Sequence, residues 1–342
     1  MMLNKIRSLL YKIYSSCLFF TPIILNNLLT RKNLLLRIYN RKSTTSCCLK
    51  NINRKKLIIY SVLKETTFSG GLSDRLRAIT SIYKECKRQG LPFRITFEPL
   101  HLEDYLEPNE YDWRLSNNDI CYDTKYVYPC TLLTYRHNTK NKYMHFVQNM
   151  MLRYYIKKDY KQIHIYSNMV TQDDEYGILF KELFKPSSIL KSNVDLHLKA
   201  IGGSKTYIAV VFRFRQLLGD FKEGGDTLFG KERNEYLNRC IERVKTMRDK
   251  FPDKKILVTS DSITFLNAIK EFPYIYVIPG KVVHISATFD ADKMTYMKSF
   301  IDYYMLSYAS TIYLVRDKLM YHSGFAYRAA LLNKAYYGEI QL

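Results

Sequence analysis

The sequence has a single tryptophan in 342 residues, although tyrosine (30) and phenylalanine (18) are abundant. Cysteine shows no useful pattern either, because the seven residues are an odd set without a Cys-x-x-Cys pair. This spacing argues against a disulfide scaffold and against a structural zinc site. We therefore expect the reduced cysteines of a cytosolic protein. They stand at positions 17, 47, 48, 86, 121, 130 and 240.

Acidic residues are absent from the start of the chain. Thirteen lysines and arginines precede Glu65, the first acidic residue, and they supply more than half of the net charge of +21. A basic amino terminus of this kind predicts peripheral contact with an anionic membrane surface. Nucleic acid is the competing partner, but the chain has no zinc finger and no aromatic RNA-binding signature, so we do not expect it to bind nucleic acid.

Charged residues are also absent between Lys12 and Arg31. The stretch 13–30 is barely long enough to span a bilayer, and Ser, Thr, Pro and Asn dilute it. It has no small-residue cleavage site typical of a signal peptide. The favoured interpretation is an interfacial helix, with a true span or an unstructured start as alternatives. The predicted location is cytoplasmic, peripheral at the inner face of the cell membrane.

The rest of the chain alternates between strand and helix patterns, which predicts an α/β fold with parallel sheets. We divide it into an N-terminal segment and linker (1–55) and two domains, 56–195 and 200–342. The first domain opens with a strand at 56–62 that leads into a glycine-rich turn. Neither a dinucleotide fingerprint nor a P-loop is present in that turn.

The middle of the first domain is patterned less clearly. Residues 122–133 have strand character, and 144–160 have helical character. In that helix Phe146, Met150 and Tyr154 share one face because they are four residues apart.

Polar groups follow three predicted strands of the second domain. The buried strand 207–212 is followed by Arg213 and Arg215, and other strands are followed by 260–262 and 322–324. Ligands of open α/β sheets bind beyond the carboxyl ends of the strands. Two arginines two residues apart can converge on one anion, and the planar guanidinium suits a phosphate. The three ends together predict a nucleoside diphosphate site.

Each of these groups also has a local interpretation. The arginine pair would bind phosphate, or one arginine would form an ion pair with Asp220 or Glu223. Asp261 would bind ribose or base, or cap a helix. Ser323 would bind the distal phosphate at a helix amino terminus, or only cap it. His322 more simply packs or hydrogen-bonds nearby.

Four short motifs resemble those of the fucosyltransferase superfamily, which includes plant xyloglucan, bacterial and protein O-fucosyltransferases. The order of the motifs along the chain also agrees. They are Gly70-Gly71-Leu72-Ser73-Asp74-Arg75-Leu76, Arg213-Phe214-Arg215, Thr259-Ser260-Asp261 and Tyr321-His322-Ser323-Gly324-Phe325. One departure is Arg213, which stands where the family usually has histidine.

The resemblance implies a GT-B fold, two Rossmann-like domains with parallel sheets facing across a cleft. It implies a glycosyltransferase that moves fucose from GDP-fucose to a glycan, a surface polysaccharide or lipid-linked oligosaccharide, with inversion and without a metal or other cofactor. A transferase of another nucleotide sugar is the alternative. Arg215 would be catalytic. The implied donor-binding residues are Gly70, Gly71, Ser73, Asp74, Arg75, Arg213, Asp261, Ser262, His322, Ser323, Gly324 and Phe325. The candidates for a base are Asp74, Glu98 and Asp104.

Overall fold

A computed structural model describes most of the chain and shows two separate parallel sheets. The described residues are 31–43, 56–66, 70–116, 119–133, 142–169, 174–220, 225–280 and 292–342.

The first sheet has four strands in the order β2-β1-β5-β4, and all neighbours run parallel. Its central strand β1 has five buried residues in six, the near-continuous apolar pattern of a parallel strand covered on both faces. A separate antiparallel pair is formed by β3 and β6. In chain order the elements are α1 (31–43), β1 (Leu57–Val62), α2 (Leu72–Gln89), β2 (Phe93–Phe97), a 3-10 turn (Leu102–Asp104), β3 (Leu106–Pro108), β4 (Val127–Leu132), α3 (Lys142–Ile156), β5 (Gln162–Ser167), α4 (Tyr176–Leu183), β6 (Phe184–Pro186) and α5 (Ser188–Ile201).

The second sheet has five strands in the order β11-β10-β7-β8-β9, again all parallel. The strand that precedes the arginine pair, β7, lies at its centre and is buried throughout. In chain order the elements are β7 (Ile208–Phe212), α6 (Gly230–Lys250), β8 (Ile256–Ser260), α7 (Ile263–Ile269), β9 (Ile275–Tyr276), α8 (Lys293–Ser307), β10 (Thr311–Arg316), α9 (Phe325–Leu332) and β11 (Tyr336–Gln341). The α/β class with parallel sheets is confirmed.

Helix α1 was not predicted from the sequence, yet it packs on the first sheet. Its residues Leu35, Ile38 and Tyr39 are buried. The Tyr39 hydroxyl lies 2.6 Å from His164 Nδ1 and 2.9 Å from the Tyr166 hydroxyl. Burial lowers the pKa of His164 to about 3, so this imidazole stays neutral at physiological pH.

The two halves share one continuous apolar core. The rings of Tyr105 and Phe300 stack with centroids 4.5 Å apart, and the hydroxyls of Tyr176 and Tyr303 lie 2.5 Å from each other. Helix α4 of the first half packs directly on α9 of the second. This contact is so close that a Cβ placed on Gly177 would lie 2.3 Å from the carbonyl oxygen of Leu331.

The helix predicted at 144–160 is present as α3, but the face marked by Phe146, Met150 and Tyr154 is exposed to solvent. The side that packs on the sheet carries Leu152 and Ile156 instead. Periodicity alone could not distinguish the two sides, because both carry large apolar side chains at helical spacing.

One cysteine departs from the expectation that all are reduced. Cys86, Cys130 and Cys240 carry free thiols, whereas Cys121 is disulfide-bonded. Its partner lies outside the described residues.

Within the described ranges, no helix is long and apolar enough to cross a membrane. The stretch 13–30, for which an interfacial helix was predicted, lies outside those ranges.

The close approach of α4 and α9 gives a test of the joint between the halves. Gly→Ala inside a helix normally stabilises a protein by about 1 kcal/mol. Gly177→Ala should instead destabilise it by about 1–3 kcal/mol, because the new methyl group would force the helices apart. Urea unfolding measures the difference, with the exposed neighbour Ile178→Ala as the control. A stabilised Gly177→Ala protein would contradict this packing.

Candidate active site

The central strands of the second sheet deliver their polar residues to one place. Phe212, the last residue of β7, pairs in parallel register with Ser260, the last residue of β8. The residues after them therefore leave the sheet side by side. On its other side β7 pairs with β10, which leads to the segment Tyr321–Phe325. The topology thus makes neighbours of the three strand ends singled out in the sequence.

The Asp261 carboxylate is the hydrogen-bonding centre of this region. It accepts from Arg213 Nη1 at 2.5 Å and from the backbone N–H groups of Phe214 and Arg215 at 2.8 and 2.7 Å. Its side chain is 1% exposed and that of Arg213 is 16% exposed, so the pair is nearly dry. Burial raises the pKa of Asp261, while the Arg213 cation and the two N–H groups oppose that shift. Asp261 thus binds the side chain of Arg213 and the backbone of the two residues that follow it.

The helix-cap interpretation of Asp261 is wrong, and Arg213 pairs with Asp261 rather than with Asp220. Glu223, the other partner considered for the arginine pair, lies outside the described residues. The helix cap of α7 is Ser262, whose hydroxyl accepts from Phe265 N at 3.1 Å, and not Asp261. Asp220 accepts hydrogen bonds from the hydroxyls of Ser262 and Thr264. Ser262 is completely buried in this arrangement.

Arg215 has an unusual backbone that the same carboxylate stabilises. Its φ is +57°, in the left-handed region, which costs a residue with a side chain about 1–2 kcal/mol. The hydrogen bond from its N–H to Asp261 holds this conformation. Its guanidinium carbon lies 5.0 Å from the ring centroid of Tyr321, and Tyr321 N donates to the Arg213 carbonyl at 3.1 Å. Arg215 is thus a half-buried cation stacked on a tyrosine at the end of the central strand.

The third strand end contains an arginine that sequence reasoning missed. Arg328, on the first turns of α9, is 1% exposed, and its Nη1 donates to the Gly324 carbonyl at 3.3 Å. A Cβ on Gly324 would lie 2.3 Å from that nitrogen, so a side chain at this position would displace the guanidinium. The Ser323 hydroxyl, itself buried, accepts from Phe325 N at 3.2 Å. In the sequence, Arg328 stands four residues after Gly324, one helical turn, and this spacing was the signal that could have indicated their contact.

His322 lies toward the edge of the sheet. Its Nε2 is 2.9 Å from Glu339 on β11, and Arg316 also pairs with that carboxylate. Although burial opposes the shift, the hydrogen bonds from His322 and Arg316 lower the pKa of Glu339 to about 2. This is the local hydrogen bond that the alternative interpretation of His322 anticipated.

The glycine turn belongs to the first half, where it opens α2. Gly70 has φ +75°, and Gly71 is the residue before the helix. Arg75 is completely buried, donates from Nε to the Gly70 carbonyl at 3.0 Å and stacks on the Phe97 ring. Burial lowers the pKa of Arg75 to about 10. Ser73 is buried on the same turn.

Helix α2 packs on α9, and this contact places the glycine turn and the third strand end on helices that touch. The predicted catalytic Arg215 and the donor-binding candidates Arg213 and Asp261 are brought into direct contact, whereas the glycine-turn residues form a second group at the start of α2.

Each carboxylate considered as a base forms an ion pair. Asp74 pairs with Arg77 at 3.2 Å, Glu98 with Lys42 at 3.4 Å, and Asp104 with Lys293 at 2.6 Å. The geometry therefore does not single out one of the three.

The two parallel sheets with this order of elements define a GT-B α/β protein, and comparison with known proteins supports that class. No family model matches the sequence, and no curated protein matches it significantly. Solved structures do match.

The NodZ α-1,6-fucosyltransferase soaked with GDP-fucose is 14% identical, with a TM-score of 0.53 over 82% of this chain and 93% of that one. The NodZ fucosyltransferase from Bradyrhizobium is also 14% identical, with a TM-score of 0.52 over 82% of this chain and 94% of that one. A mutant of Arabidopsis thaliana FUT1 in complex with GDP is 13% identical, with a TM-score of 0.53 over 92% and 79%. The chain therefore has the fold of these fucosyltransferases, and the predicted GT-B fold is confirmed.

The Asp261 contacts predict a large loss of stability when its charge is removed. Asp261→Asn removes the carboxylate charge that faces Arg213 and replaces one acceptor oxygen by a donor, so unfolding should become easier by about 3 kcal/mol. The control is Asp112→Asn, which breaks the exposed pair with Arg114 and should cost less than about 1 kcal/mol. Urea titrations that give equal losses for both variants would contradict a central role for Asp261.

Proposed function

We propose that the chain is a glycosyltransferase that transfers fucose from GDP-fucose to a glycan acceptor, a surface polysaccharide or lipid-linked oligosaccharide, with inversion at the sugar carbon. The observation that carries the proposal is the position of Arg215, a half-buried cation at the carboxyl end of the central strand of the second sheet. Supporting it, the NodZ structure whose fold the chain shares was soaked with GDP-fucose, and the FUT1 mutant is in complex with GDP.

Arg215 would act on the leaving group. As the bond between the sugar and the diphosphate breaks, negative charge grows on the β-phosphate, and a fixed guanidinium stabilises that charge more than it stabilises the ground state. Its backbone is held by Asp261 and its side chain stacks on Tyr321, so the cation is positioned before the donor arrives. Ser323 and Gly324, at the amino terminus of α9, would supply N–H donors to the phosphates.

The reaction would proceed without a metal, since the arginine supplies the positive charge. One Asp-x-Asp pattern occurs, at 290–292. Asp292 is the cap of α8, and both of its oxygens accept from Thr295, at 2.8 Å each. Turnover that is unchanged in excess EDTA would support metal independence, and turnover restored only by Mg²⁺ or Mn²⁺ would overturn it.

The site of action remains a proposal from the amino terminus: cytoplasmic, with the basic segment against an anionic membrane. The disulfide at Cys121 favours an oxidising compartment instead, because structural disulfides are rare in the cytosol.

Counting the free thiols of protein isolated from its natural source decides between these locations. A maleimide applied under denaturing conditions without reductant should label all seven cysteines if the cytoplasmic proposal holds. If the Cys121 bridge forms in the cell, two fewer thiols should react until a reductant is added, as read by intact-protein mass spectrometry.

Substitution of Arg215 tests the proposed chemistry. Arg215→Ala should lower the release of GDP from GDP-fucose by about 10²–10³-fold, because one transition-state electrostatic contact is lost. Arg215→Lys should also be strongly impaired, since a single ammonium cannot replace the planar fork. The control is Arg114→Ala, whose guanidinium is exposed in the first half. Normal turnover by Arg215→Ala would refute the assignment.

The donor is identified separately by ranking GDP, UDP and ADP in thermal-shift measurements. A nucleotide that binds only the folded protein raises its melting temperature. GDP should give the largest shift. A larger shift with UDP or ADP would keep a GT-B transferase but replace the donor.

A further inference from the structure

Helix α3 presents an unusual outer face. Phe146, Met150 and Tyr154 are 59%, 51% and 58% exposed, and they follow one another at intervals of four residues along the helix. Their side chains therefore form one continuous stripe on the side opposite the buried Leu152 and Ile156. A surface helix ordinarily carries polar residues there.

Cations share this face. Arg153 and Lys157 are exposed at positions that fall within the same arc of the helix, and Lys158 and Lys161 follow at its carboxyl end. The Lys158 ammonium lies 4.3 Å from the ring centroid of Tyr154 and donates to its hydroxyl at 2.6 Å.

Little negative charge offsets these cations. Glu85, on α2, is shared between Arg88 and Arg153 at 2.5 and 3.2 Å, so the trio keeps a net positive charge. Between residues 142 and 161 the sequence has one acidic residue, Asp159. The face therefore combines three large apolar side chains with a surplus of positive charge.

We propose that this face of α3 docks on an anionic lipid surface, with Phe146, Met150 and Tyr154 in the headgroup region and the cations against the lipid phosphates. An amphipathic helix with aromatic and long apolar side chains flanked by Lys and Arg binds in this way. The face from residue 146 to residue 157 is only about 16 Å long. Three side chains on one convex helix cover much less than the roughly 800 Å² per partner that a stable protein interface buries.

This surface is independent of the transferase proposal and lies outside the basic amino terminus. Membrane contact through residues 1–30 would neither require it nor explain it.

The single native tryptophan makes a site-specific test possible. Trp113 is completely buried, and its Nε1 donates to the Leu183 carbonyl at 2.8 Å, so its emission should not respond to lipid. Met150→Trp adds a reporter to the α3 face. Leu196→Trp is the matched control, at a position 64% exposed on α5 beside Asp195.

Full-length protein is mixed with phosphatidylcholine vesicles, with or without 30% phosphatidylserine. With the anionic vesicles we expect Met150→Trp emission to shift to the blue and to be quenched by brominated lipid, whereas Leu196→Trp emission stays unchanged. Adding Lys157→Gln should weaken the apparent affinity about fivefold, the effect of one cation near an anionic surface. Raising the salt concentration should act in the same direction.

Three results would overturn the proposal. The first is sedimentation with vesicles without a change at position 150, which would place the contact elsewhere, as in residues 1–30. The second is an equal response to neutral vesicles. The third is a blue shift without lipid that grows with protein concentration, which would identify a second copy of the chain as the occupant.

Discussion

The second half of the molecule depends on one buried carboxylate. Asp261 binds the side chain of Arg213 and the backbone of the next two residues, and it does so from the adjacent strand of the sheet. A carboxylate that accepts one guanidinium and two N–H groups has most of its lone pairs satisfied, which makes its burial tolerable. The left-handed turn at Arg215 follows from those bonds. Asp261 therefore fixes the conformation of the three residues that follow β7.

The relation between the halves rests on packing. Stacked rings, a pair of tyrosine hydroxyls and the glycine contact of α4 with α9 join the two sheets into one core. These contacts lie on helices beside the sheets, while the polar residues of the second sheet lie at its strand ends. The contacts that join the halves are thus separate from the polar residues at the strand ends.

Much of this arrangement followed from sequence pattern. Buried apolar runs that end at Arg213, Ser260 and Arg316 specify parallel strands, and the carboxyl ends of such strands are where polar groups gather. The pairing of Arg213 did not follow, because Asp220 and Asp261 both stand after buried strands and only the strand order brings one of them within reach. Arg328 was missed because an arginine in a short helix is ordinarily exposed.

Helix α3 and helix α1 were obscured for different reasons. The first has apolar residues on both sides, so periodicity could not show which side faces the sheet. The second begins in a basic stretch whose charge suggested a surface role, although Leu35, Ile38 and Tyr39 are apolar and lie at helical spacing. Tertiary packing decided both cases.

The position of α1 bears on where the folded unit begins. Its tyrosine occupies the space above a neutral, wholly enclosed imidazole on β5, and its cations Arg41 and Lys42 reach Glu65 and Glu98 beyond the neighbouring strand ends. A chain shortened to remove the apolar stretch must still start at or before residue 31. Trimming to residue 56, where the pattern of alternating elements starts, would remove the helix that covers one side of the first sheet and would expose His164 to water.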